Sequence, residues 1–173
     1  MNSVLCEPEM PANTGNIGRT CVATNTRLHL IEPLGFKLSE KHLVRAGLDY
    51  WDKLDVTVYS DFADFLQRNP GAKLYMATTK APAVYTDVEY EPDCYLMFGP
   101  ESRGIPEEIL VEYQETCVRI PMWGDIRSLN LSNSVAVLPG LFFVPSRRRC
   151  FPRSYGFPAG NVPVSDKDRK SVV

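Results

Sequence analysis

Residues 94–106 read CYLMFGPESRGIP, an apolar run that breaks into a loop bounded by Gly99 and Gly104. A glycine loop directly after a strand is where nucleotide phosphates are often held, so its neighbours decide what kind of α/β protein this is. The glycine spacing matches the first half of the P-loop pattern G-x-x-x-x-G-K-S/T, but Ile105 and Pro106 follow. That leaves no lysine for a phosphate and no hydroxyl for magnesium. The dinucleotide pattern G-x-G-x-x-G fails too, because Glu101 stands at the second glycine, where a carboxylate would repel a pyrophosphate. Phosphate cradling is excluded, and what the loop holds must be read from the rest of the chain.

Outward from this loop, strand-like runs alternate with helix-like ones. Strands are predicted at Ser3–Cys6, Arg27–Ile31, Asp55–Tyr59, Lys73–Ala77, Cys94–Phe98 and Cys117–Ile120. Helices are predicted at about Gly15–Ala23, Ser39–Ala46, Phe62–Arg68 and Pro106–Tyr113. Pro106 suits a first helical position, and Asp61 suits an N-cap. This alternation predicts an α/β layer architecture with a mostly parallel sheet. After Val137 the character changes: Pro139, Pro145, Pro152, Pro158 and Pro163 interrupt whatever follows. The reading is a domain over 1–137 and an irregular tail over 138–173, with the last helix stopped at Leu138-Pro139-Gly140.

The chain has 173 residues, 44% hydrophobic and 23% charged, which suits one soluble globular domain with a sizeable core. No apolar stretch is long enough to span a bilayer and the N-terminus lacks a signal-peptide pattern, so a cytoplasmic protein is expected. Cys6, Cys21, Cys94, Cys117 and Cys150 are far apart and form no C-x-x-C, arguing against a disulfide framework or a zinc site. The only histidines are His29 and His42, so no metal is expected; His29 lies in an apolar run and reads as a hydrogen-bonded core residue. The net charge of −2 confers no global attraction to nucleic acid, so RNA binding would need local basic patches.

Three polar segments follow predicted strands, at the edge where open α/β sheets bind ligands. The first runs from Glu7 to Arg19, and in it Asn13 or Thr14 could simply cap the helix. The second is Gly99–Gly104. The third is Ile120-Pro121-Met122 with Arg127-Ser128-Leu129-Asn130-Leu131-Ser132-Asn133-Ser134, richer in hydroxyls and amides than one N-cap requires.

Together these segments carry a resemblance. Asn13-Thr14-Gly15-Asn16-Ile17-Gly18-Arg19, Met97-Phe98-Gly99-Pro100-Glu101-Ser102-Arg103-Gly104 and Ile120-Pro121-Met122 with Ser128-Leu129-Asn130-Leu131-Ser132 resemble the three motifs of the SPOUT (SpoU–TrmD) RNA methyltransferases. Arg45-Ala46-Gly47-Leu48-Asp49-Tyr50 and Thr78-Thr79-Lys80 resemble the TrmL subgroup, which methylates the ribose 2′-OH of the tRNA anticodon wobble nucleotide, a cytidine or a modified uridine. The resemblance covers residues 1 to about 137. It implies a parallel sheet with helices on both faces, a C-terminal trefoil knot, a homodimer, and S-adenosyl-L-methionine as methyl donor. It further implies that Ala77, Gly99, Ile120, Met122, Ser128 and Leu129 hold that cofactor, largely through main-chain groups, with Gly99 admitting it closely. Asn13, Arg19, Glu101 and Asn130 match the polar residues framing the reaction site.

Arg19 in isolation reads as a solvated helix-face charge; the motif makes it the group acting on the hydroxyl. A guanidinium with pKa above ~12 rarely yields a proton, so stabilising the alkoxide or gripping a phosphate suits it better than a base role. Glu101 would anchor backbone N–H groups or pair with Arg19. Arg19, Arg45, Lys80, Arg103 and Arg127, and also Arg147-Arg148-Arg149, are candidate contacts to the tRNA anticodon stem-loop. The rival readings are a knot protein without catalysis, for which the interrupted C-terminus argues, a methyltransferase for another RNA, and an unrelated nucleotide-binding α/β domain.

Overall fold

The computed structural model describes residues 1–37 and 50–143. They form a seven-stranded sheet with β1 at Asn2–Cys6, β2 at Arg27–Ile31, β3 at Val56–Tyr59, β4 at Leu74–Ala77, β5 at Ala83–Val84, β6 at Tyr95–Phe98 and β7 at Cys117–Arg119. The order across the sheet is β3-β2-β1-β6-β4-β7-β5, and every neighbouring pair is parallel. Four helices accompany it: α1 at Pro11–Thr24, α2 at Phe62–Arg68, α3 at Glu107–Glu112 and α4 at Leu131–Phe143.

Alternation along each strand splits the core in two. Leu5, Leu28, Leu30, Tyr75, Leu96 and Phe98 face one layer, packed with Ile17 and Cys21 of α1 and Val135 and Leu138 of α4. Val4, Cys6, Ile31, Leu74, Met76 and Met97 face the other, with Phe65 of α2 and partly buried Ile109 and Leu110 of α3. Strands buried on both faces have no polar side, which explains their near-continuous apolar sequences. Each fully buried aliphatic or aromatic side chain contributes about 1.5–3 kcal/mol. Among the described residues, no helix is long and apolar enough to cross a membrane.

Three expectations need correction. The last helix does not stop at Leu138-Pro139-Gly140: α4 runs through all three residues to Phe143, so the described domain extends past Val137. A proline inside a helix removes one backbone hydrogen bond, but here Val135 (1% exposed) and Leu138 (2% exposed) pin the preceding turn in the core. Helix α1 begins at Pro11 rather than Gly15, with proline at the first helical position and neither Asn13 nor Thr14 as cap. Pro106 is itself the N-cap of α3, extended at ψ 140°, so the helix starts one residue later. The two-residue strand β5 has no counterpart in the sequence reading. Asp61 caps α2 as expected, accepting from Asp64 N–H at 2.8 Å. The helix expected at Ser39–Ala46, the residues His42, Arg45 and Arg147-Arg148-Arg149, and the tail from 144 onward lie outside the described residues.

His29 is a buried core histidine. Asn69 donates to the Tyr59 hydroxyl at 3.2 Å, and that hydroxyl shares a hydrogen bond with His29 Nδ1 at 2.8 Å. Phe65 and Tyr95 close around the ring, with centroids 5.9 and 5.3 Å away. Burial pushes the imidazole pKa down to about 4, because the charged form would lose its water. A histidine whose folded pKa lies below its unfolded value contributes stability that is full above the unfolded pKa and lost as pH falls toward the folded one. Stability measured by urea unfolding is therefore expected to drop between pH 6.5 and about 4, by up to ~1.4 kcal/mol per pH unit. A His29→Asn variant, which cannot titrate, should show a flatter profile between pH 6.5 and 5; an unchanged slope would remove His29 as the cause.

Candidate functional site

The parallel sheet brings the ends of β1, β6, β4 and β7 to one edge as immediate neighbours. From β1 the chain leaves through α1 to β2 on one side, and from β6 through α3 to β7 on the other. The crevice between β1 and β6 is thus a topological switch point, where open α/β sheets bind ligands. All three polar segments arrive there.

The loops after β1 and β6 are clasped by two carboxylates that exchange places. Glu101 Oε2 accepts from Glu9 N–H at 2.8 Å, and its Oε1 accepts from Met10 N–H at 3.3 Å and from the Asn13 amide at 2.9 Å. In return Glu9 accepts from Ser102 N–H at 2.9 Å and from the Ser102 hydroxyl at 2.6 Å. Those Ser102 bonds hold the Glu9 carboxyl below the usual carboxylate range. Met10 is the side-chain-free N-cap of α1, so Glu101 supplies from another loop the negative charge that a helix N-terminus favours. Beside the clasp, the Arg103 guanidinium pairs with Glu7, whose left-handed φ of 49° turns β1 into its loop.

Asn130 connects the third segment. Its amide donates to Asn13 Oδ1 at 3.1 Å, while its own Oδ1 accepts from Ser132 N–H at 2.9 Å and the Ser132 hydroxyl at 2.7 Å, capping α4. Asn13, Glu101 and Asn130 therefore form one hydrogen-bonded chain, with Asn13 buried at 5% exposure. Glu101 is spent on backbone N–H groups and the Asn13 amide.

Arg19 lies two turns further along α1, exposed, with its guanidinium 5.0 Å from the centroid of the Tyr50 ring. Tyr50 is buried and donates its hydroxyl to the Gly15 carbonyl, so one residue braces α1 and supports the arginine. Close packing requires Gly18 there, where a Cβ would stand 3.1 Å from Leu54 Cδ2.

Ala77, Gly99 and Ile120 sit at or just past the ends of three adjacent strands: Ala77 pairs with Phe98 and Val118, and Thr78 N–H donates to the Val118 carbonyl at 2.9 Å. Met122 is half-buried, and Ser128 and Leu129 directly precede the Asn130 cap. At Gly99 a Cβ would lie 2.1 Å from Ile105 N and 2.2 Å from Gly104 C, so the loop folding back on itself already demands glycine there.

Among the candidate RNA contacts, Lys80 pairs with Glu107 at 2.8 Å and Arg103 with Glu7, whereas Arg127 is exposed. No thiolate chemistry is available beside the crevice, since burial pushes the Cys6 thiol up to about 12. Glu9, Ser102 and Tyr50 are parts of the site that the sequence reading did not single out; all lie within quoted segments, but their partners are distant in the chain.

The model of the SpoU rRNA methylase family matches residues 1–139. A tRNA (cytidine(34)-2′-O)-methyltransferase of Escherichia coli is 49% identical over 139 residues, 80% of this chain and 88% of that one. A solved structure described as giving insights into 2-OH methylation of C/U34 on tRNA superposes at TM-score 0.77 and 43% identity, covering 82% of this chain and 93% of that one. An AdoMet-bound rRNA methyltransferase of Sinorhizobium meliloti shares the fold at TM-score 0.69 and 24% identity, over 79% of this chain and 53% of that one.

Three mutations read out the loop geometry. Gly99→Ala is expected to cost ~1–3 kcal/mol, as overpacking does, whereas Gly124→Ala, with open space around its Cβ, should stay within about 0.5 kcal/mol. Equal unfolding midpoints for the two would refute the fold-back constraint. Glu101→Ala strands the Glu9 and Met10 N–H groups and should accelerate their amide exchange, with a loss of about 1 kcal/mol.

Proposed function

We propose that this chain, which belongs to the SpoU rRNA methylase family, is a tRNA 2′-O-methyltransferase that uses S-adenosylmethionine to methylate the anticodon wobble ribose. The observation that carries the reading is the convergence of all three motif segments on the β1–β6 switch point, in a chain about half identical to a methyltransferase of that specificity.

The residues at the edge suit that cofactor. Three adjacent strand ends place the half-buried residues Ala77, Gly99 and Ile120 side by side, and their main-chain groups would read the edges of the adenine. Met122, Ser128 and Leu129 would complete the wall. When bound, S-adenosylmethionine supplies an electrophilic methyl group on a sulfonium.

The chain's own work is positioning. Two reactants must be held in line, and well-oriented reactions gain roughly 7–11 kcal/mol from such alignment. The Glu101–Asn13–Asn130 chain fixes the three loops relative to one another, so these residues act by positioning. Arg19, supported on Tyr50, is the group directed at the RNA: it grips a phosphate or stabilises charge developing on the 2′-oxygen, while the proton leaves to solvent.

The chain after β7 crosses toward α1, where α4 packs, a course compatible with the family's knot. A homodimer acting in the cytoplasm is the assembly that the family resemblance implies for this chain. The presence of α4 also weakens the non-catalytic reading, which rested on its loss.

Incubating the protein with unmodified tRNA and S-adenosylmethionine should place a 2′-O-methyl at position 34, mapped by resistance to alkaline cleavage; no methylation of any tRNA would refute the reading. Arg19→Ala is expected to keep cofactor affinity while single-turnover transfer falls ~10²-fold or more. Arg19→Lys should fail too, since a point charge cannot replace a planar fork. Transfer at the parent rate in both variants would show that Arg19 has no part in the chemistry.

A further inference from the structure

The segment joining β7 to α4 carries a side chain that nothing so far explains. Trp123 is 91% exposed, and every residue from Trp123 to Ser128 is exposed. The chain's other tryptophan, Trp51, packs partly buried against the core. An exposed apolar residue is ordinary by itself; the placement of this one is not. It directly follows Met122, and five residues later the segment reaches Ser128 and the Asn130 cap, which bonds to Asn13 at the switch point. Both ends of the Trp123 loop are thus anchored in the proposed site, and its indole is presented outward from it.

We propose that Trp123 is the stacking platform for an unpaired anticodon nucleobase. The proposal rests on the tRNA methyltransferase reading and deepens it. A ribose presented for methylation must have its base pulled from the anticodon stack, and an indole face can replace the lost stacking with any base. Ile126 of the same segment is also exposed, at 61%. Arg127 makes no ion pair among the described residues, in contrast to Lys80 and Arg103, and stands ready for a phosphate of the same strand. An aromatic face flanked by an uncommitted cation is the chemistry of single-stranded RNA rather than of an apolar protein partner.

Because Trp123 buries almost nothing, its replacement leaves the fold intact, which makes the test clean. RNA binding is measured by anisotropy on a labelled, unmodified anticodon stem-loop, with S-adenosylhomocysteine affinity by calorimetry and mass by sedimentation. Trp123→Ala is expected to weaken RNA binding about tenfold or more, with unfolding midpoint, S-adenosylhomocysteine affinity and sedimentation unchanged. Trp123→Phe should recover most of the loss. Equal RNA affinity in Trp123→Ala would overturn the proposal. So would a loss of S-adenosylhomocysteine binding, which would make Trp123 part of the cofactor wall, or a lighter sedimenting species, which would make it a contact between copies. If the parent protein binds the stem-loop through Trp123 yet methylates no tRNA, stacking stands and the reaction assignment falls.

Discussion

The site depends on the exchange of carboxylates between the loops after β1 and β6. Two adjacent parallel strands whose connections diverge leave a gap at their C-terminal ends, with backbone N–H groups from each loop facing it. Such donors need partners, and here each loop satisfies the other: Glu101 accepts from Glu9 and Met10, and Glu9 accepts from Ser102. Neither loop keeps its shape alone. The arrangement also commits both Glu101 oxygens to donors of the first loop.

From that clasp the order of the site propagates by single hydrogen bonds. Asn13 lies one turn into α1 and reaches Glu101 with its amide nitrogen and Asn130 through its oxygen. Asn130 in turn caps α4, the helix that packs on α1. A segment far from α1 in sequence is thereby set against its first turn, and Ser128 and Leu129 are placed with it. Geometry at the edge is transmitted through caps, which lock only when the helices behind them are packed. Leu138 and Val135 therefore bear on the site although they are buried beneath it.

Much of the fold was legible in the chain because strands covered on both faces leave unmistakable apolar runs; β2 and α2 were read to the residue. What escaped shares one cause. The start of α1 was misplaced because its capping charge comes from Glu101, 91 residues from Met10, so Pro11 was the one local mark of its first turn. The course of α4 through Pro139 was missed because the penalty is local while the offsetting burial of Leu138 is tertiary. The loop's own need for Gly99 was not foreseen, because the atoms that exclude a Cβ belong to Gly104 and Ile105 and meet it only once the loop has folded back. Tyr50 stood in a recognised segment, but its bracing of Gly15 and Arg19 depends on how α1 lies over it.

These observations bear on how the chain divides its labour. Asn13, Glu101 and Asn130 look in sequence like a catalytic polar cluster, yet in space their hydrogen-bonding capacity is largely consumed by one another and by backbone. A carboxylate accepting from two N–H groups and an amide has both oxygens occupied, and its part is to hold those donors in place. Such groups hold loops still. The side chains presented outward are Arg19, raised on an aromatic ring, and the exposed run from Trp123 to Arg127. On the proposed function, a methyl transfer between a cofactor held by main-chain groups and a hydroxyl held by RNA contacts would need little more, since much of its barrier can be met by alignment.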